Sequence, residues 1–247
     1  MKTTAERSWI AVRSFDLGLL LAATIGAFLR FSRLGDYDNS YYTATVASML
    51  QSAHNFLFAS FDPGGAVMVD KPPVSFWIQA IPAAIFGVSR WSVTVPQVIA
   101  GTLAIVILYM VIRPAFGRIA AVSAALTLAL IPSSVAIDSR NEPDSLLSLA
   151  LLLAAFCVIR AVQTGKGRWL MAFALLMGIG FNIKMLVAFV PLPAFLLYHF
   201  LATRAPIWRV ATRTTLAIGI LLVVSLSWVS VVAVTPPENR PYVGSTQ

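Results

Sequence analysis

Residues 74–88, VSFWIQAIPAAIFGV, decide how the rest of the chain is threaded. The stretch is apolar, but it is short of the about 20 residues a helix needs to cross a bilayer, and Pro82 interrupts it. By length it reads as an interfacial or re-entrant helix as readily as a span, and the parity of the basic loops that follow places it along the outer interface. The parity of every later segment depends on that choice.

Working outward, apolar runs near 15–32, 93–112, 119–137, 145–163, 168–182, 185–202 and 213–235 are candidate spans. If 74–88 does not cross, the leader (Lys2, Arg7, Arg13), RPAFGR (113–118), the loop from Arg160 to Arg168 and RAPIWRVATR (204–213) fall on one side. By the positive-inside rule that side is the cytoplasm. Segments 33–92, 138–144, 183–184 and 236–247 then face out, with eight of the ten acidic residues; only Glu6 and Asp16 stay behind. Letting 74–88 span would turn the later basic loops outward.

Composition sets the class. Of 247 residues 58% are hydrophobic and 11% charged, against about 25% charged in soluble domains. Only helices or closed barrels satisfy the backbone in lipid, and these runs lack the strict alternation of barrel strands. The expected fold class is therefore all-α, a polytopic bundle of about seven transmembrane helices. The net charge of +8 lies in short clusters between apolar runs. That pattern orients a membrane protein better than it forms a nucleic-acid footprint. The single cysteine, Cys157, sits in an apolar run and reads as a buried, inert thiol. The first run, FDLGLLLAATIGAFLRF (15–31), follows a basic leader without a small-residue cleavage site, and reads as an uncleaved signal anchor.

Segment 33–92 is a long outer loop with helical patterning of its own. In NSYYTATVASMLQSA (39–53), Tyr42, Val46, Met49 and Leu50 recur at helical spacing behind a cap at Asn39 or Ser40. FDPGGAVMVDKPP (61–73), rich in Gly and Pro, is a loop leading into the helix at 74. TPPENRPYVGSTQ (235–247) resembles the first residues of a further outer loop, so 1–247 is expected to be the amino-terminal portion of a longer architecture.

Three polar sets converge on the outer side: RLGDYDNSYY (33–42), the loop with Asp62, Asp70 and Lys71, and DSRNEPDSLL (138–147) with Arg140, Glu142 and Asp144. Ionisable groups at membrane depth are costly and tend to line cavities, so three sets on one side point to a shared polar site. A plainer reading stands beside several of them. Asp144 reads first as a helix cap, Arg140 could pair with its neighbouring carboxylates, and Lys184 reads as a snorkelling cation. Trp77 and Trp91 read as interfacial belt residues. His54 and His199 sit on opposite sides and make no metal site. No cofactor is called for, and a divalent metal is left open.

YDNSYYTATVASML, FDPGGAVMVDKPPVSFWIQAIPAAIFG and RNEPDSLL resemble membrane glycosyltransferases of the GT-C class. Within that class they are most similar to dolichyl-phosphate-mannose protein mannosyltransferase-like enzymes and the aminoarabinose transferase of lipid A. The resemblance covers nearly the whole chain. It implies a GT-C-type bundle with juxtamembrane helices in its first outer loop, a polyprenyl-phosphate sugar as donor, and a protein, lipid or cell-wall acceptor at the extracytoplasmic face. By the same resemblance, the Asp early in the first outer loop, Asp38, is the catalytic base. Relatives often carry Asp-Glu there; this chain has Asp38-Asn39. Asp70 is the second candidate base and Asp62 a third.

The chemistry suits these residue types independently. Lys71 can meet a lipid phosphate as a point charge and Arg140 as a fork, both countering the negative charge that grows as the glycosidic bond breaks. Pro72 and Pro73 would start a helix with Lys71 at its positive end. Tyr41, Tyr42, Asp62, Glu142 and Asp144 complete the expected pocket. A flippase for a lipid-linked sugar, or a non-catalytic truncated relative acting as a membrane subunit, would use the same charges without chemistry. The near absence of ionisable residues inside the spans favours interfacial chemistry over passage.

Overall fold

A computed structural model describes residues 16–242; the leader cations, Glu6 and residues 243–247 lie outside the described residues. The helices are α1 (Leu17–Phe31), α2 (Ser40–Met49), α3 (Ala53–Phe58), α4 (Val74–Phe86), α5 (Arg90–Leu130) and α6 (Pro132–Asp138), then α7 (Asp144–Thr164), α8 (Gly167–Lys184), α9 (Leu192–Ala202) and α10 (Ile207–Val234). A 3₁₀ turn, Met185–Phe189, joins α8 to α9. Among the described residues β-structure is limited to two isolated bridges. The protein is an all-α, multi-pass membrane bundle, as its composition requires. Among the described residues four helices (α5, α7, α10 and α8 with its 3₁₀ extension) are long and apolar enough to cross a membrane.

α5 is two of the expected spans joined at one residue. Gly117 has φ 82° and ψ 179°, which breaks the helical path, and a positive φ is cheap only for glycine. The legs reverse there. Tyr109 and Arg118, on either side of the break, both bind Asp16 at the start of α1. At the other end of α1, Arg30 donates to Leu128 and Ala129 of the second leg. Ala22 of α1 packs with Ile105 and Tyr109 of the first leg and Ala121, Ala125 and Ala129 of the second. The small side chains let three helices approach closely, which is how helices associate in lipid. The expected span at 119–137 breaks at Ile131–Pro132, so α6 starts anew with Pro132 in its first turn. The expected span at 185–202 is interrupted likewise, with helix only from Leu192.

The stretch 74–88 forms α4, 13 residues long, with Pro73 at its N-cap. It packs on α2 through Tyr42, Val46, Phe76 and Ala80. Gln79 donates to the Asn141 carbonyl, placing α4 at the end of the bundle where α6 hands over to α7. α2 is capped by Asn39, whose side chain accepts from the Tyr41 N–H at 3.1 Å. Its expected inner face is buried at Tyr42, Val46 and Met49, while Leu50 stays exposed. α3, capped by Ser52, was not anticipated.

All the long connections therefore gather at one end of the bundle, here the loop end. The opposite, basic end carries Arg113, Arg118, Arg160, Lys166, Arg168, Arg204, Arg209 and Arg213. After α10 the chain comes back over the loop end: Met68 N–H donates to the Tyr242 carbonyl, and Tyr242 N–H to the Ala66 carbonyl.

Candidate active site

The site is assembled on a buried electrostatic tie. Arg30, in the last turn of α1, is fully buried. Its Nε donates to Asp138 Oδ2 at 2.8 Å, Nη1 to the carbonyls of Gly26 and Ala129, and Nη2 to the Leu128 carbonyl and Ser134 Oγ. All five N–H groups of the guanidinium thus have acceptors. Ser134 Oγ in turn donates to Asp138, and Ser139 Oγ donates to the Arg30 carbonyl. A buried charge is tolerated when it is this completely paired. Gly101 makes room for it: a Cβ there would lie 2.9 Å from the Asp138 Cβ and closer still to its carboxylate. The tie fixes the α6–α7 connection, Ser139 to Pro143, against the end of α1.

That connection presents Asn141, fully buried. Asn141 Oδ1 accepts from the Asn39 N–H at 2.6 Å, and Asn141 Nδ2 donates to the Asn39 carbonyl and to Thr43 Oγ1. Asn39 Nδ2 donates to Glu142 Oε1 at 3.0 Å. Thr43 Oγ1 donates to Asp38 Oδ2 at 2.6 Å, while Arg90 Nε lies 3.2 Å from Asp38 Oδ1. The Asp38 side chain is only 9% exposed. Two of its lone-pair positions are used and the others remain to accept a proton. Two of the three polar sets read from the sequence are therefore stitched together around the start of α2.

The third set meets the same helix one residue on. Burial, reinforced by the carboxylates of Asp70 and Glu142, pushes the Tyr42 phenol well above its ordinary range. Tyr41 is raised for the same first reason, burial, with Asp70 beside it. Asp70 forms an ion pair with Lys71, two residues ahead of the Pro73 cap of α4. Lys71, Asp70, Tyr41, Tyr42 and Glu142 thus share one neighbourhood. Asp38 and Lys71 form no ion pair with each other; α2 and Glu142 connect their surroundings.

Other expected residues do different work. Asp62 is a loop clamp whose carboxylate accepts from the N–H groups of Ala66 and Val67, which hold it below the usual carboxylate range. Arg140 is exposed, its guanidinium 5.5 Å over the Tyr37 ring, and it pairs with no carboxylate among the described residues. Asp144 is not a cap: α7 has Pro143 at that position without a side-chain bond, and Asp144 instead holds Lys184 Nζ at 2.6 and 2.7 Å. Lys184 is thus an ion-pair partner from the end of α8, not a snorkelling cation. At the first position of α7 the carboxylate lies at the mouth of the bundle, beside the end of α8 that carries Lys184, which is why the pair forms. Trp77, expected in the interfacial belt, donates from Nε1 to the Phe56 carbonyl and ties α4 to α3. Sequence reasoning missed Arg30, Thr43, Gln79, Arg90 and Asn141. Only Arg30 carried a signal, as a cation inside an apolar run. Asn141 stood unremarked inside RNEPDSLL.

An apolar cleft of about 360 Å³ lies beside the site between α4, the first leg of α5 and α7, lined by Ile78, Ile81, Pro82, Ile99, Leu103 and Leu146 among others.

This architecture is that of a GT-C membrane glycosyltransferase. The chain belongs to the dolichyl-phosphate-mannose-protein mannosyltransferase family, whose profile matches residues 70–232. It is 46% identical over 95% of its length to “Putative mannosyltransferase YycA” of Bacillus subtilis. Its identity to “Putative mannosyltransferase YkcB” of the same organism is 44%, also over 95% of its length. It spans about a third of each of those proteins (35% and 33%). The crystal structure of ArnT from Cupriavidus metallidurans in the apo state superposes over 96% of this chain and 44% of its own, with TM-score 0.69 and 21% identity. The same protein bound to undecaprenyl phosphate gives 0.64 at 23% identity, over 90% and 42%. The archaeal oligosaccharyltransferase AglB from Archaeoglobus fulgidus, in complex with an inhibitory peptide and a dolichol-phosphate, gives 0.60 at 20% identity, over 91% and 30%. At these identities the likeness is one of fold.

Proposed function

We propose that the chain is the catalytic transmembrane part of a glycosyltransferase that moves a sugar from a polyprenyl-phosphate carrier to a hydroxyl acceptor at the extracytoplasmic face of the cell membrane. The observation that carries the reading is the hydrogen-bonded junction at Asn141. It joins a buried carboxylate, Asp38, to the helix that also bears Tyr42 and faces Asp70 and Lys71. The lipid phosphates named with the neighbouring folds support the donor class. The basic clustering of the opposite end supports a cytoplasmic amino terminus.

In this reading Asp38 accepts the proton of the acceptor hydroxyl, whose oxygen attacks the anomeric carbon in one inverting displacement. The bond from that carbon to the phosphate oxygen breaks, and the lipid phosphate leaves with the electron pair. Its charge rises from one to two as it leaves, and Lys71, released from Asp70, and the exposed Arg140 counter the increase. Asp70 is the alternative base, in contact with Lys71 and Tyr42. The cleft beside α4 holds the first isoprene units. Asp144 and its partner Lys184 border the pocket, and Tyr41 and Tyr42 bound the sugar.

The test uses radiolabelled polyprenyl-phosphate sugars and the full-length protein in lipid. Asp38→Asn abolishes transfer with donor binding retained, and Lys71→Ala weakens donor binding. Normal turnover in Asp38→Asn removes it as the base, and donor bound without product by the wild type favours a flippase.

A further inference from the structure

At the basic end, the α7–α8 connection, the end of α9 and the start of α10 enclose a cavity of about 250 Å³. Lys166, Arg204, Arg209 and Arg213 line it, and no carboxylate among the described residues does. The ion pairs among the described residues involve none of these four. Arg213 is anchored by donating from Nη1 to the Gly165 carbonyl at 2.6 Å, which holds its guanidinium on the rim. Asp16, the described acidic residue at this end, is already taken by Tyr109 and Arg118.

A second cavity of about 170 Å³ adjoins the first, its walls formed mainly by Phe173, Leu192, Leu196, Ala217, Ile218 and Leu221. Leu170 and His199 line both. His199 is 6% exposed. Its Nδ1 lies 3.3 Å from Thr203 Oγ1, but its Nε2 is buried without a hydrogen-bond partner. A buried, unpartnered ring nitrogen costs free energy unless a ligand meets it. Thr214, in the apolar cavity, likewise has its hydroxyl oxygen buried and unpartnered. Topological bias alone puts cations at this end. It does not explain a cavity beneath them that opens into an apolar slot and contains an unpaired imidazole nitrogen.

The geometry points to a binding site for one anionic lipid. Its phosphate sits among Lys166, Arg204, Arg209 and Arg213, one hydrocarbon chain fills the slot, and His199 meets a polar headgroup or ester atom at the junction. Basic pockets between helices are the usual recognition device for such headgroups, and guanidinium forks bind phosphate oxygens in pairs. The bound lipid would link α8, α9 and α10, where α9 is short and its contacts sparse. The site is on the face opposite the proposed donor site and does not depend on that assignment.

Native mass spectrometry of the full-length protein, titrated in detergent with dioleoyl phosphatidylglycerol or with dioleoyl phosphatidylcholine, tests it. Wild type retains the phosphatidylglycerol preferentially. Arg204→Gln with Arg209→Gln, both exposed positions, weakens that retention about 25-fold, from about fivefold per surface cation. Ile218→Trp, at a half-exposed position on the slot, weakens phosphatidylglycerol binding as well, with an unchanged melting profile. Arg33→Gln, an exposed cation at the other end, leaves retention unchanged. Equal retention of the two lipids overturns the proposal, as does an unaltered affinity in the double variant. If inorganic phosphate stabilises the protein as much as phosphatidylglycerol does, and Ile218→Trp is indifferent to both, the cavity is a soluble-anion site and the lipid assignment falls.

Discussion

Removing the carboxylate of Asp138 gives the most demanding test of how the site is held. Asp138→Leu leaves the Arg30 guanidinium at 0% exposure with four neutral acceptors and no counter-charge. Breaking a buried ion pair from one side costs about 3–5 kcal/mol. At roughly 2–4 °C per kcal/mol for a chain of this size, the melting temperature falls by roughly 6–20 °C. Arg30→Met costs less, because Asp138 keeps Ser134 and sits nearer the loop. The double variant Arg30→Met/Asp138→Leu recovers most of the loss, since two apolar side chains can replace a buried pair at near-neutral cost. Thermal unfolding in detergent, followed by intrinsic fluorescence, measures all four corners of the cycle, and the coupling isolates the pair. A single-variant shift under about 2 °C, or a double variant worse than both singles, would refute the claim that this tie holds the α6–α7 connection.

Gly101→Ala pushes a methyl into the Asp138 side chain, and overpacking of this kind costs about 1–3 kcal/mol; Asp138→Gly in the same chain removes every clashing atom, seen as strong non-additivity in the melting temperatures. Asn141→Ala strips the Asn39 backbone and Thr43 of their partners. It lowers kcat roughly 10–100-fold with donor affinity retained, which a labelled-donor binding assay beside the transfer assay reads directly. Asp16, lowered to about 2 first by the Tyr109 hydroxyl and then by Arg118, contributes stability that is complete above the ordinary carboxylate value near 4 and is lost as pH falls through about 2. The wild-type melting temperature therefore drops between those values, and that of Asp16→Asn changes much less. Tyr42→Phe removes a phenol beside Asp70 and Glu142, and raises the donor or acceptor KM more than it changes stability; a large loss of melting temperature instead would make Tyr42 a packing residue.

The class of protein was legible because it rests on quantities every residue contributes to. A chain with so few charges among apolar runs near 20 residues has no soluble solution for its backbone. The expected place of 74–88 rested on the parity of the basic loops after it, because its length and Pro82 suit a span and an interfacial helix alike. The capping of α2 by Asn39 was readable because a cap is a contact between residues two apart. The motif-bearing segments pointed to the family for the same local reason.

What sequence alone determined is thus what near neighbours along the chain settle: the long apolar helices, the Asn39 cap of α2, the connection at RPAFGR, and which end collects the acids. Tertiary structure alone decided the partnerships across about 100 residues, Arg30 with Asp138, Asn141 with Asn39 and Thr43. It also decided that Asp62 clamps its own loop and that Asp144 holds Lys184. A side chain's charge is written in its identity, but its counter-charge is chosen by which helices pack, and packing in lipid is set by small residues such as Gly26, Gly101 and Ala125, whose spacing carries little signal when read singly.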